Sequence, residues 1–172
     1  MVLNGEHIQL KTLTPAMVTQ KYVDWMNDPD VTKYTESRFR KHTFRGIKLY
    51  VQDVSGNSDD YFYGIFLHNE HIGNIKLHIN MHHNLGDIGL IIGDKQQWGK
   101  GYATEAIKLV TDHGFNVLGL HKIYAGIYSN NKGSIGAFMK AGFTEEAKLQ
   151  GMYKCESESH YVDEIIVSRW KE

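Results

Sequence analysis

Apolar and polar residues alternate near the start of the chain. Ile8, Leu10 and Thr12 are interleaved with Gln9 and Lys11, which predicts a strand from about Glu6 to Leu13. Thr14-Pro15 then offers an N-cap followed by a proline at the first helical position. A helix is expected through Met17, Tyr22 and Trp25 to about Asn27, where Asp28-Pro29-Asp30 breaks it. The stretch VTKYTESRFRKHT is polar and carries four Lys or Arg residues. It leads into a second helix from about Thr43 to Asp53, with Phe44, Ile47 and Val51 on one face. Residues 55–60 have turn composition. Tyr61 to His68 and His71 to Asn80 read as antiparallel strands joined near Asn69-Glu70, with Ile75, Leu77 and Ile79 on one face and Lys76, His78 and Asn80 on the other. Next, Ile88, Leu90 and Ile92 alternate with Gly89, Ile91 and Gly93, a strand with little side-chain bulk on one face. Ala103, Ala106, Ile107, Val110 and Gly114 then follow at helical spacing. Ile123, Ala125 and Ile127 mark a strand, Ser134 to Ala141 a short helix, and Phe143 to Tyr153 and His160 to Trp170 the last two strands. Periodicity alone establishes a mixed α/β chain without internal repeats.

Between the glycine-bearing strand and the helix lies Gln96-Gln97-Trp98-Gly99-Lys100-Gly101. Two glycines allow several backbone N–H groups to turn toward one point. The first turn of the next helix adds unpaired donors and the positive end of its dipole, and Lys100 adds a charge, so the segment suits a phosphate or pyrophosphate. It is neither of two well-known phosphate loops. A dinucleotide fingerprint beginning at Gly99 needs Gly or Ala where Thr104 stands, and a Walker loop needs Gly at Asp94 and Ser or Thr at Gly101.

Gln96-x-x-Gly99-x-Gly101, followed by Tyr102-Ala103-Thr104-Glu-Ala, resembles the coenzyme A pyrophosphate loop of the GNAT superfamily of N-acetyltransferases, in particular its RimJ/RimL-like branch. Asn131-x-x-Ser134-Ile135-x-x-Phe138-x-x-x-Gly142-Phe143 resembles the second signature of that branch. The resemblance covers essentially the whole chain, so residues 1–172 are expected to form one GNAT domain. It implies a mixed sheet of about seven strands with helices on both faces, and acetyl-CoA as co-substrate. It also implies a splay between the strands at Asp87–Asp94 and Lys122–Tyr128, where pantetheine pairs with the first strand like a missing neighbour. The expected cofactor contacts are Ile91, Ile92, Gln96, Gln97, Trp98, Gly99, Lys100, Gly101, Tyr102, Ala103, Thr104, Asn131, Ser134 and Phe138. Trp98 has packing beneath the loop, and Asn131 an N-cap, as alternative roles.

Direct acetyl transfer to an amine requires a proton acceptor, a donor for the oxyanion and a stabilised thiolate. An alkylamine holds its proton up to a pKa of about 10. Asp87 stands where relatives carry an acidic residue and is the candidate base, with His78, His82 and His83 as nearby alternatives. The main-chain N–H of Ile91 or Ile92 is the candidate oxyanion donor. Many relatives carry a tyrosine on the short helix to protonate the thiolate, but this chain has Phe138. Ser134, Tyr128 or water then supplies the proton, or the thiolate leaves unassisted, or activity is lost and the chain is a CoA-binding module. Acceptor contacts are expected from Tyr34, Glu36, Ser37, Arg38, His42, Tyr153 and His160. Residues 27–39 also resemble relatives that acetylate nucleotide-linked amino sugars, which would let Arg38 and Arg40 meet a diphosphate. A protein amino terminus and a polyamine are the other acceptor classes.

Composition narrows the partners. The chain has 172 residues, 19 Lys+Arg against 20 Asp+Glu and a net charge of -1, so no basic field calls for nucleic acid or an anionic membrane. Cys155 is the only cysteine, which suits a reducing cytoplasm. No apolar run approaches the roughly 18 residues of a membrane span. The adjacent His82 and His83 would point to opposite sides of a strand, so no metal site is expected. A monomer or homodimer acting on a small-molecule or peptide amine is the expected form.

Overall fold

The computed structural model describes residues 1–154 and 160–171; Cys155 lies outside them. Eight strands form one sheet: β1 (Val2–Asn4), β2 (Ile8–Thr12), β3 (Asp60–Leu67), β4 (Glu70–Asn80), β5 (Leu85–Ile92), β6 (Lys122–Tyr128), β7 (Thr144–Lys154) and β8 (Tyr161–Trp170). Their spatial order is β1-β2-β3-β4-β5-β6-β8-β7. The count exceeds the expected seven because three-residue β1 is too short to show a period, yet it pairs with β2.

The helices are α1 (Gln20–Asn27), α2 (Pro29–Thr32), α3 (Phe44–Gly56), α4 (Tyr102–Asn116) and α5 (Lys132–Lys140). The first helix differs from the expected one. Pro15–Met17 makes only a 3-10 turn, Thr14 forms no side-chain cap, and Val18 is extended. Thr19 restarts the chain as a true N-cap, its hydroxyl accepting from the Tyr22 amide. Asp28 then ends α1 and caps α2 by accepting from the Asp30 amide, so the segment expected only to break the helix also begins another.

Each face of the sheet buries one apolar set. On one face α4 and α5 bring Ala106, Ile107, Val110 and Phe138 against Ile75, Leu77, Ile88, Ile123, Ala125 and Val167. On the other, α1 and α3 bring Tyr22, Val23, Trp25, Ile47 and Val51 against Phe62. The alternation in β5 serves both: Ile88, Leu90 and Ile92 join the first set and Ile91 the second. Truncating a fully buried residue such as Ile107 to Ala would cost about 2–5 kcal/mol.

One pairing in the sheet is incomplete. β5 and β6 run parallel and are paired only from Leu85–Asp87 to Lys122–Tyr124, while every other strand pair is antiparallel. Beyond Asp87 and Tyr124 the two strands part, leaving the rest of β5 with β4 as its only sheet neighbour among the described residues. This is the splay that the resemblance implies.

Candidate active site

The open edge of β5 leads directly into the glycine loop. The Gly93 amide donates to the Ile72 carbonyl on the β4 side, so strand alternation turns the backbone of Ile91 toward β4 and that of Leu90 and Ile92 toward the gap. Of the two candidate oxyanion donors, Ile92 is therefore the one whose amide faces the opening. Trp98 braces the same point, its indole Nε1 donating to the Ile92 carbonyl at 2.7 Å while the residue stays 45% exposed.

The loop is open to solvent from Trp98 to Gly101. Gly99 and Gly101 take φ of +75° and +92°, the left-handed region that glycine enters without a Cβ penalty. Gly101 is the N-cap of α4 and has no side chain to cap it, and the first helical bond runs from the Glu105 amide to the Gly101 carbonyl. The amides of Tyr102, Ala103 and Thr104 therefore have no acceptor within the helix, and among the described residues none from outside it. The Lys100 ammonium donates to the Gln97 side chain at 3.2 Å, which folds the loop over itself, while the Gln96 amide is tied to Asp94. Glu105, one turn into α4, accepts from the His7 and Ile8 amides and anchors the amino-terminal strands to the helix. Burial works against its ionisation, yet those hydrogen bonds hold its pKa below the ordinary range.

α5 borders the gap from the far side. The Asn131 Oδ1 caps it by accepting from the Ser134 amide at 3.2 Å, the alternative role considered for this residue. Its Nδ2 and the Ser134 hydroxyl make no hydrogen bond among the described residues. Phe138 departs from the expected contact with the cofactor: it is 1% exposed and packs edge-on against Phe143 at 5.1 Å. α5 must bury one stripe against the sheet, and Phe138 lies on it.

A second group gathers on the opposite face of the sheet. Asp87, Tyr124, Gly126, Tyr128 and Glu164 share that face by strand parity, since Ile123, Ala125, Ile127, Ile165 and Val167 fill the other. Tyr128 and Tyr153 stack at 3.9 Å with planes 7° apart. The Tyr128 hydroxyl donates to Glu36 Oε1 at 3.1 Å, and that of Tyr153 to Glu164 Oε1 at 2.5 Å. Burial, then the Glu164 carboxylate, pushes the Tyr153 phenol well above its ordinary pKa, so it remains a donor. Asp87 sits at the closed end of the gap. Burial raises its carboxyl pKa, His78 and Lys76 oppose the rise, and Glu164 adds to it.

Sequence reading missed Glu164, Tyr124 and Gly126. A Cβ on Gly126 would stand 2.1 Å from Glu164 Oε1, so the absent side chain is what admits this carboxylate. The available signal was a carboxylate in an otherwise apolar strand, but with Asp163 beside it only the register shows which of the two faces the gap.

Several candidates lie elsewhere. His82 and His83 occupy the exposed turn before β5, whereas His78 stands opposite Asp87 on β4, on the same face, with its Nδ1 3.0 Å from Asp60 Oδ1. At about 3.3 Å per residue, eight-residue β5 alone puts that turn roughly 25 Å or more from the loop. His42 brackets the linker to α1 through Asn27 and contacts the Ser37 carbonyl, away from the tyrosine stack. Tyr34 joins the stack, 5.9 Å from Tyr128, and points its hydroxyl at the Asn130 carbonyl. Among the described residues no three metal-ligating side chains converge.

An amide cradle at a helix start beside a parted parallel strand pair is the geometry the two signatures foretold. A model of the acetyltransferase (GNAT) domain matches residues 7–144. The chain belongs to the GNAT acetyltransferase family. It is 36% identical over 125 residues to a probable N-acetyltransferase of Bacillus subtilis (strain 168), YjcK, covering 67% of this chain and 66% of that one. Over 71 residues it is 41% identical to the spermidine N(1)-acetyltransferase of Escherichia coli (strain K12), covering 41% and 38%. These matches span less than two thirds of either relative. The fold matches that of RimL, a ribosomal L7/L12 alpha-N-protein acetyltransferase solved with coenzyme A, at a TM-score of 0.88 and 15% identity, covering 99% of this GNAT chain and 98% of the other.

Proposed function

We propose that this GNAT protein is an acetyl-CoA-dependent N-acetyltransferase that moves an acetyl group onto a primary amine by direct transfer in a ternary complex. The observation that carries the reading is the unpaired edge of β5, which ends in open amides at the start of α4. These residues fit the co-substrate: the Tyr102, Ala103 and Thr104 amides suit a pyrophosphate, and the Leu90 backbone, turned to the gap, suits an extended amide chain. When bound, acetyl-CoA supplies the acyl group as a thioester.

The protein's own groups supply the remainder. The Ile92 amide faces the gap and serves as the donor for negative charge developing on the acyl oxygen. Glu164, at the level of Gly126 on the acceptor face, takes the proton of the incoming ammonium. Asp87 lies deeper, where the strands close, and reaches the amine through water. Of the thiolate's candidate acids, Tyr128 has its hydroxyl committed to Glu36 and Phe138 has none, so the role falls to Ser134, whose hydroxyl is uncommitted among the described residues. Holding both reactants in the gap contributes up to about 7–11 kcal/mol toward the barrier for well-oriented partners.

The test combines calorimetry with acetyl-CoA and a thiol-release assay over amino sugars, their phosphorylated forms, peptides and polyamines. Binding followed by amine-dependent release of free CoA is expected. Binding without release for any amine would instead make the chain a CoA-binding module, and no binding would end the reading.

A further inference from the structure

Beside the tyrosine stack, the end of α1 and the segment between it and α3 line a recess of about 740 Å³ that is open to solvent. Its lining includes Lys33, Arg38, Arg40 and Lys41, with Asp30 the only acid among the lining residues. Asp30 is already engaged, 3.1 Å from the Lys95 ammonium, which also holds Asp28 at 2.7 Å. The other carboxylate of this segment, Glu36, accepts from Tyr128. Lys33, Arg40 and Lys41 form no ion pair among the described residues.

Arg38 has a separate job. Its guanidinium donates to the carbonyls of Lys33 at 2.6 Å and Lys154 at 2.7 Å and lies over the rings of Phe39 and Tyr128, at 4.5 and 5.2 Å. Its Nε is buried with no partner among the described residues. Arg38 is thus the wall shared by the recess and the acceptor face. Among the described residues these cations have no counter-charge beyond the engaged Asp30, and an anion relieves their mutual repulsion. Arg and Lys together provide the forked and point-charge donors that phosphoryl oxygens take.

We infer that this recess seats a phosphoryl group of the acceptor, so that the amine acetylated here is zwitterionic, its nitrogen directed to Glu164 and Asp87 and its far end held by Lys33, Arg40 and Lys41. The inference rests on the acetyl-transfer reading and goes further by naming the substrate class. It separates this chain from a polyamine enzyme, because an oligocation lying along the same path meets the four cations.

The test compares glucosamine, glucosamine 6-phosphate and spermidine at saturating acetyl-CoA. The phosphorylated amine is expected to show at least a tenfold higher kcat/KM than glucosamine, the advantage residing in KM and shrinking as salt rises. The double variant Lys33→Ala/Arg40→Ala, which leaves the Arg38 bracket intact, should bring the ratio of the two amines close to one. Equal kcat/KM for the two sugars, a preference for spermidine, or an unchanged ratio in the double variant would overturn the inference while leaving acetyl transfer intact. If acetyl-CoA binds but no amine releases thiol, acetyl transfer itself fails. Calorimetry of uridine diphosphate with the acetyl-CoA-saturated protein then decides the anion site: binding lost in the double variant supports it, and no binding overturns it.

Discussion

Single atoms decide most of the chemistry at this site. Glu164 reaches the gap only because residue 126 has no side chain, so Gly126→Ala should displace the carboxylate and lower kcat while leaving the affinity for acetyl-CoA, measured by calorimetry, as it was. Glu164→Gln should lower kcat/KM by about 10²–10⁴, the usual range for a lost proton acceptor. Loss of less than threefold would remove Glu164 from the mechanism. Asp87 contributes to the pH profile. Its carboxyl pKa is raised by burial, so its anion is lost as pH falls through a value above the ordinary aspartate range, and kcat/KM should decline there. In Asp87→Asn that part of the acid limb should disappear. Phe138 poses the complementary question. If its missing hydroxyl limited catalysis, Phe138→Tyr would raise kcat. The ring is buried in the core, so the new hydroxyl should instead go unsatisfied, with no gain in kcat and a loss of about 1–3 kcal/mol in denaturant unfolding.

At the scale of elements, the loop and the helix it opens work as one unit. Gly101 carries the positive φ that turns the amides of α4 outward, and space beyond its Cα is open. Gly101→Glu should abolish acetyl-CoA binding in calorimetry by placing a bulky anion at the proposed pyrophosphate site, while far-UV circular dichroism stays native. Unchanged affinity would rule out the cradle. The loop was legible in sequence because its chemistry is local: two glycines and a helix start are enough to define it. The first helix was misread for an equally local reason. Thr14-Pro15 and Thr19 are competing start signals, and only packing of Tyr22 and Trp25 into the core selects the second. Phe138 fits an exposed contact and a core position equally well by spacing, so its placement waited on which stripe of α5 meets the sheet.

At the scale of the molecule, stability couples to pH through histidines buried near each apolar set. His71 lies among Tyr22, Trp25 and Phe66, its Nε2 beside the Gly73 carbonyl and Asn74, and burial lowers its pKa from 6.5 despite those contacts. His113 near the end of α4 is lowered by burial too. The unfolded chain therefore binds protons at these sites where the folded chain resists. Their contribution is complete above about pH 6.5 and is lost as pH falls through the folded values. The thermal midpoint should drop between pH 7 and pH 5, and a flat midpoint across that range would show that neither imidazole titrates with folding. Among the described residues no helix is long and apolar enough to cross a membrane. The sequence by itself determined the mixed α/β class, seven of the eight strands, the glycine loop before α4 and the Asn131 signature, because periodicity and turn chemistry are set by near neighbours. Only the tertiary structure decided that Glu164, Gly126 and Tyr153 share the acceptor face, that Lys33 and Arg40 line one recess, and that Phe138 belongs to the core. Strand register and the packing of helices on a sheet bring together residues far apart in the chain, and no local pattern encodes which of them meet.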